Sequence, residues 1–224
     1  MNNTEFGTNL PQKILVKKDQ QRTIVFNQLS KSDVTLEENS TLVLAGVINK
    51  GTEENHKISF KLSGKNANLK FIGIIIGENS DSFNFETISR HLTPQTKASF
   101  NVFSAMFDSS SVDYKGNIIV EQEAEKTDSH LSHKTMLLSE NSKASTFPCM
   151  EIKTDDVSTG HSATIGHPDE NILYYMESRG LNKKTATHLM VEGFLDSATS
   201  LIPDKIVRKI LVEEIENSLA HHNS

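Results

Sequence analysis

Short apolar runs, many alternating with polar residues, fill the first three quarters of the chain. Residues 14–16 and 23–26 are two such runs, separated by the polar stretch KKDQQR, and their period of two predicts short strands. The polar residues 1–13 before them read as a loose lead-in. From Val34 onward a loose repeat appears: LEENSTLVL at 36–44, LSGKNANLKF at 62–71, LTPQTKASFNV at 92–102 and LSENSKASTF at 138–147. Each copy has a leucine, a polar turn, a small residue and then a strand. Leu36, Leu62 and Leu92 are 26 and 30 residues apart, and the 46 residues from Leu92 to Leu138 leave room for two shorter coils. Strands and turns at this spacing suit a solenoid of stacked coils. A β-sandwich, with a strand every ~8–12 residues, fits the period equally well.

Individual segments refine this reading. LKFIGIII at 69–76 is almost continuously apolar, so this strand is expected to be covered on both faces. Phe83, Phe85 and Thr87 alternate with polar neighbours, as do Phe100 and Val102. DYKG at 113–116 reads as a turn feeding a strand at 117–120, and the charge run EQEAEKTD at 121–128 as a solvated loop or edge.

The pattern changes type within residues 146–181, TFPCMEIKTDDVSTGHSATIGHPDENILYYMESRGL. Cys149, Glu151 and Lys153 alternate with Met150, Ile152 and Thr154 as on a strand. Asp155 and Asp156 supply a turn, and residues 157–165 read as a second strand with Gly160 at a bend or close approach. Pro168 is a good first helical residue, followed by Asp169 and Glu170 at the positive end of the helix dipole. Gly180 stops that helix. Asn182 caps the next, which is expected to end near Gly193, and Pro203 opens a last one. In that last helix Ile206, Val207, Ile210, Leu211, Ile215 and Leu219 form an apolar face.

Composition narrows the classes. The 224 residues suffice for a buried core; 36% are hydrophobic and none is Trp, a lean balance that suits turn-rich β proteins. The net charge of −6, with no basic block, argues against nucleic acid as a partner. The single Cys149 rules out an internal disulfide or an all-cysteine metal site within one chain. No apolar run approaches the ~20 residues of a membrane-spanning helix, so no membrane partner is expected. The first residues carry no secretory signal pattern, and a soluble cytoplasmic protein is expected. No glycine-rich phosphate loop or nucleophile elbow is present, so the chain is expected to have no nucleotide site of its own. His130 and His133 form an H-x-x-H pair, but on a strand they face opposite ways and cannot share a metal. His221 and His222 fall in a frayed tail.

The strings FPCMEI, DDV, GHSATIG, LYYMESRGL and the later GFL together resemble the C-terminal core of the SufB/SufD family of the SUF iron–sulfur cluster assembly machinery. Pro148, Glu151, His161, Ala163, Thr164, Tyr175, Ser178, Arg179 and Gly180 fall in order on that family's pattern, and the SRG form with the DDV turn is closer to SufD. The resemblance implies a mainly β fold: a right-handed parallel β-helix over residues 1–166, followed by a small helical region at 167–224 placed beyond the finished solenoid. It also implies a protein that is not itself an enzyme but a scaffold, or partner of a scaffold, for a SufC-like ABC ATPase. A homodimer, or a heterodimer with a SufB-type protein, would form through the solenoid end near residues 157–165.

By the same resemblance, a transient iron–sulfur cluster would lie between paired cores, with the H-x-A-T histidine, His161, beside it. The cysteine position of SufB-type chains falls at His133, and their glutamate position at Ser162. Cys149, which by itself reads as a small residue of a half-buried strand, is the third candidate ligand. Tyr175, Arg179 and Gly180 of the motif, and Ile206, Ile210 and Leu211 of the last helix, are expected to face the partner. Family members typically carry a helical region before the β-helix, whereas this chain begins almost at the first coil. A β-helix enzyme acting on polysaccharide, and a purely structural β-helix, are the competing readings.

Overall fold

Backbone conformation at one repeated corner sets the architecture. Asp19, Asn39, Asn66, Gln95 and Lys126 all have φ between 54° and 62°. Each backbone N–H donates to a carbonyl in the next coil, from Asp19 to Glu38, Asn39 to Lys65, Asn66 to Pro94, Gln95 to Glu125 and Lys126 to Asp156. Asparagine and aspartate tolerate this left-handed conformation best. On the surface their side chains form a ladder, with the Asn39 amide donating to Asp19 and the Asn66 amide to Asn39.

The computed structural model describes residues 3–52 and 54–220, so His221 and His222 lie outside the described residues. The strands run as β1 (Asn3–Phe6), β2 (Lys13–Val16), β3 (Gln21–Phe26), β4 (Ser32–Leu36), β5 (Thr41–Ile48), β6 (Asn55–Leu62) and β7 (Asn68–Gly77). They continue as β8 (Ser82–His91), β9 (Lys97–Met106), β10 (Ser111–Val120), β11 (Thr127–Leu137), β12 (Lys143–Ile152) and β13 (Val157–Gly166). The helices α1 (Glu170–Ser178), α2 (Lys183–Thr199) and α3 (Lys205–Leu219) follow. Odd strands pair in chain order as one sheet and even strands as a second. Each named pairing is parallel, as in β5 with β7 and β10 with β12. The fold is a parallel β-solenoid of two facing sheets, as expected from the resemblance.

Register explains the irregular repeat. Leu36, Leu62, His91, Val120 and Ile152 form one row across the even sheet. The first two leucines therefore share a structural position, and Leu92 lies one residue past it. Leu138 belongs to the opposite corner, after β11. The true counterpart of the early copies is the corner before Thr127, where Val120 stands at the row position. Two further segments depart from expectation. The lead-in contributes β1, paired with β3, and buries Leu10. Residues 113–116 are not a turn, because β10 runs unbroken through them; Gly116 is a strand residue facing the interior, where a Cβ would stand 1.9 Å from Leu131 Cδ1.

The chain has two cores. Between the sheets lie Leu36, Leu44, Phe60, Phe71, Phe100 and Tyr114 with their neighbours. The second core lies on the outer face of the odd sheet, where Val47, Ile72, Ile74, Ile76 and Phe103 meet Val191, Leu195, Val207 and Leu211 of the helices. LKFIGIII is thus buried on both faces, as its composition requires.

The helices do not extend beyond the solenoid. α2 packs on β7 and β9, and α3 on β5, so the pair folds back beside the middle coils. The reason is the apolar outer face of β5, β7 and β9, which would otherwise face water. For the same reason α2 continues past Gly193 to Thr199, since Leu195 and Ala198 still bury against the sheet. Two helices begin two residues later than expected: α1 at Glu170 rather than Pro168, capped by Asp169, whose carboxylate accepts from the N–H of Asn171 and Ile172, and α3 at Lys205 rather than Pro203, capped by Asp204. Asn182 caps α2, as its side chain predicts.

Candidate functional site

The last coil, β12 with β13, has no coil beyond it. Among the described residues, its β13 pairs only with β11 and its β12 only with β10. Residues on its inward-facing rows are consequently left at an open end. Alternation and register fix which these are. His161 pairs in register with Leu131, and Leu131 with Phe100, which in turn matches Phe71 and Leu44. A row that is aliphatic and aromatic through four coils therefore ends in an imidazole. His161 is exposed because nothing stacks on it. On the facing strand Met150 and Ile152 occupy the ends of equivalent inward rows and are exposed, as is Ile165 on β13.

The wall behind His161 is stitched by polar contacts. Gly160 faces outward, with the His130 ring over it; a Cβ there would stand 3.1 Å from Nδ1. His130 pairs with Asp128 at 3.1 Å, and the Ser162 hydroxyl donates to Ser132 at 3.0 Å. His130 points outward and His133 inward, as their spacing on a strand predicts.

His133 lies one coil behind the open end, buried. Its Nε2 contacts the hydroxyls of Ser104 (2.9 Å) and Thr135 (3.1 Å), its Nδ1 contacts Thr146 (2.7 Å), and the Tyr114 ring meets it edge-on at 5.3 Å. Burial lowers its pKa to about 4, so it is neutral at physiological pH. His133 and His161 thus share the inward face of the odd sheet on adjacent strands, one enclosed and one open. Cys149 is not brought to them. It lies in register with Asn117 on the outward face of the even sheet and is exposed, in contrast to the half-buried position expected from its strand. Among the described residues no group of three or more His, Cys, Asp or Glu is arranged to hold a metal ion. The described donors of one chain therefore do not fit an iron–sulfur cluster on their own.

The expected partner-facing residues separate into two sets. Tyr175 on α1 and Arg179 at its C-cap are exposed, the guanidinium 5.4 Å from the ring centroid, and Gly180 follows the cap with φ of +94°. Ile206 on α3 is 71% exposed and Ile210 is partly so. Leu211 is fully buried against the odd sheet and belongs to the chain's own second core, so it offers no surface to a partner. The sequence reading also missed the polar interior of the later coils. Thr87, His91, Thr96, Ser104, Ser129 and Thr135 are buried there. For Thr87, His91, Ser129 and Thr135 the signal was available in FETISRH and TDSHLSHKT, where polar residues hold inward positions of the period.

The SUF system FeS cluster assembly, SufBD core domain family matches residues 15–194. SufD of Bacillus subtilis is 31% identical over 146 residues, 65% of this chain and 33% of that protein. SufD of Escherichia coli is 24% identical over 193 residues, 86% of this chain and 46% of that protein. SufB of Bacillus subtilis is 28% identical over 132 residues, 58% of this chain and 28% of that protein. The chain thus spans less than half the length of these curated relatives, and its match favours SufD.

Proposed function

Because the chain belongs to the SufBD core family of the SUF iron–sulfur cluster assembly system, we propose that it acts as a non-enzymatic scaffold subunit that works only when paired. The observation that carries this is the open last coil. It presents unpaired strand edges on β12 and β13, exposed apolar ends at Met150, Ile152 and Ile165, and one imidazole, His161. Unpaired edges and apolar ends are satisfied together when a second coil end is placed against them. The partner is a second copy or a SufB-type chain. In either pair His161 lies at the seam, and the remaining ligands come from the other chain or from a small thiol. His133 and Cys149 are secondary candidates, one needing the coil to open and the other needing a seam that reaches the outer face. The cluster is cargo, assembled and passed on. The helical region docks a SufC-like ATPase, which supplies the nucleotide chemistry.

Anaerobic reconstitution with iron and sulfide tests the role of His161. His161→Ala is expected to abolish cluster uptake by the paired protein while shifting the melting temperature by no more than about a degree or two, since an exposed ring makes few packing contacts. Equal iron and sulfide content in wild type and variant would end the ligand assignment. Light scattering tests pairing. A monomer at tens of micromolar that also fails to associate with a SufB-type chain would refute the seam.

A further inference from the structure

Between α1, the β11–β12 corner and the start of α2 lies a groove of about 420 Å³. Its floor is apolar, formed by Leu137, Leu138, Pro168 and Leu173, with Tyr174 standing at the edge 75% exposed. Its rim carries the carboxylates of Glu140, Glu170 and Glu177. None of the three is ion-paired with a described residue, and Lys183 is the only lysine or arginine among the lining residues. His167, also on the rim, has its Nδ1 engaged by the Leu137 carbonyl at 3.0 Å. α1 itself buries no residue, although it carries Leu173, Tyr174 and Ile172. With Tyr175 and Met176 it carries five large apolar or aromatic side chains, and a helix that buries none of them leaves its contribution to packing unfinished.

We propose that this groove receives a basic amphipathic segment of a partner protein, with leucine-like side chains on the apolar floor and lysine or arginine against the three glutamates. An apolar floor with charges of one sign around it selects both the packing and the orientation of what enters. The apolar contacts hold the segment, and the rim excludes acidic competitors and speeds encounter. The chain offers no described segment of its own that fits, since α2 and α3 place their apolar faces on the odd sheet. The inference rests on the reading of the helical region as the surface that meets the ATPase, and it locates that contact at α1 rather than on the outward face of α3.

Two probes separate this inference from that reading. The first is a synthetic 18-residue helix of lysine and leucine in amphipathic order, titrated into the full chain and followed by NMR shifts of Leu138, Leu173 and Tyr174. Saturable binding is expected. It should weaken by about tenfold or more in E140Q/E170Q/E177Q, but not in the equally charge-reduced control E123Q/E125Q/E216Q. Equal loss in both variants would mean general charge attraction and overturn the proposal, as would the absence of saturable binding. The second probe is the SUF ATPase encoded by the same genome, titrated calorimetrically. Binding to wild type that is unchanged in the groove variant overturns the groove while leaving the partnership intact. If the ATPase does not bind wild type, the partnership fails and the peptide alone decides the groove. Self-association lost in the groove variant would assign the groove to a second copy and overturn the proposal.

Discussion

His91 and His133 stand inside the solenoid with hydroxyl groups on their ring nitrogens. His91 contacts Thr96 at 2.8 Å and Ser129 at 3.1 Å, and His133 has the hydroxyls described above. Burial lowers each pKa to about 4, and no charged side chain offsets it. A folded-state pKa below the ordinary value of about 6.5 means the fold favours the neutral ring. That contribution is complete above about pH 6.5 and is lost as pH falls toward 4, up to about 3 kcal/mol for each ring. Urea denaturation is therefore expected to show stability falling steeply over this interval, and H91Q should flatten the fall. An unchanged pH slope in H91Q would contradict the burial account. Gly116 makes a second residue-scale prediction. Its missing Cβ leaves the space that Leu131 fills, so Gly116→Ala should cost about 1–3 kcal/mol by overpacking. A melting temperature equal to wild type would show that Leu131 can move.

At the scale of the element, the left-handed corners are the joints of the solenoid. Among the described residues, five of the seven left-handed non-glycine positions are aspartate or asparagine, while Gln95 and Lys126 hold the same conformation without a side chain suited to it. Left-handed backbone costs an ordinary residue roughly 1–2 kcal/mol, and less for asparagine. Lys126→Asn is expected to raise stability by about 0.5–1 kcal/mol, read as a higher denaturation midpoint with unchanged slope. A lower midpoint would indicate that the lysine side chain contributes something its corner does not reveal. The other corner elements are closed by serine. Ser110 and Ser142 each donate to a carbonyl three residues back, which fixes short turns without glycine.

For the whole molecule, α2 and α3 share one hydrophobic core with the solenoid. α2 and α3 cover Val47, Ile72, Ile74 and Ile76, and Asn49 donates to Ser218 across the seam. Removing residues 182–224 would expose that face, so the truncated chain is expected to aggregate or to lose most of its thermal stability. It would not survive as an independent β core, as the simple division at residue 167 suggests. A soluble truncated chain with a wild-type unfolding transition would show that the second core adds little. Loss of ATPase binding on such a truncation would therefore not locate the contact, whereas the groove substitutions act on a folded chain.

How much of this was legible in the sequence depends on the range of the interaction. Local chemistry could be read directly. The period-two runs marked most strands, Asn182 and Gly180 marked helix ends, and the double burial of LKFIGIII followed from its composition. The family pattern from Pro148 to Gly180 pointed to the fold class and to His161. What the sequence could not fix was set by contacts between residues far apart in the chain. Register placed Leu138 at a different corner from Leu36 and put Gly116 inside a strand rather than in a turn. Stacking decided that His161 is open while His133, on the same inward face, is enclosed. Parity on the even sheet turned Cys149 outward, because a strand's faces are assigned only when its neighbour is known. The return of α2 and α3 to the odd sheet claimed Leu211 for the core and left Ile206 exposed, since an apolar helix face states that it will be buried but not against what.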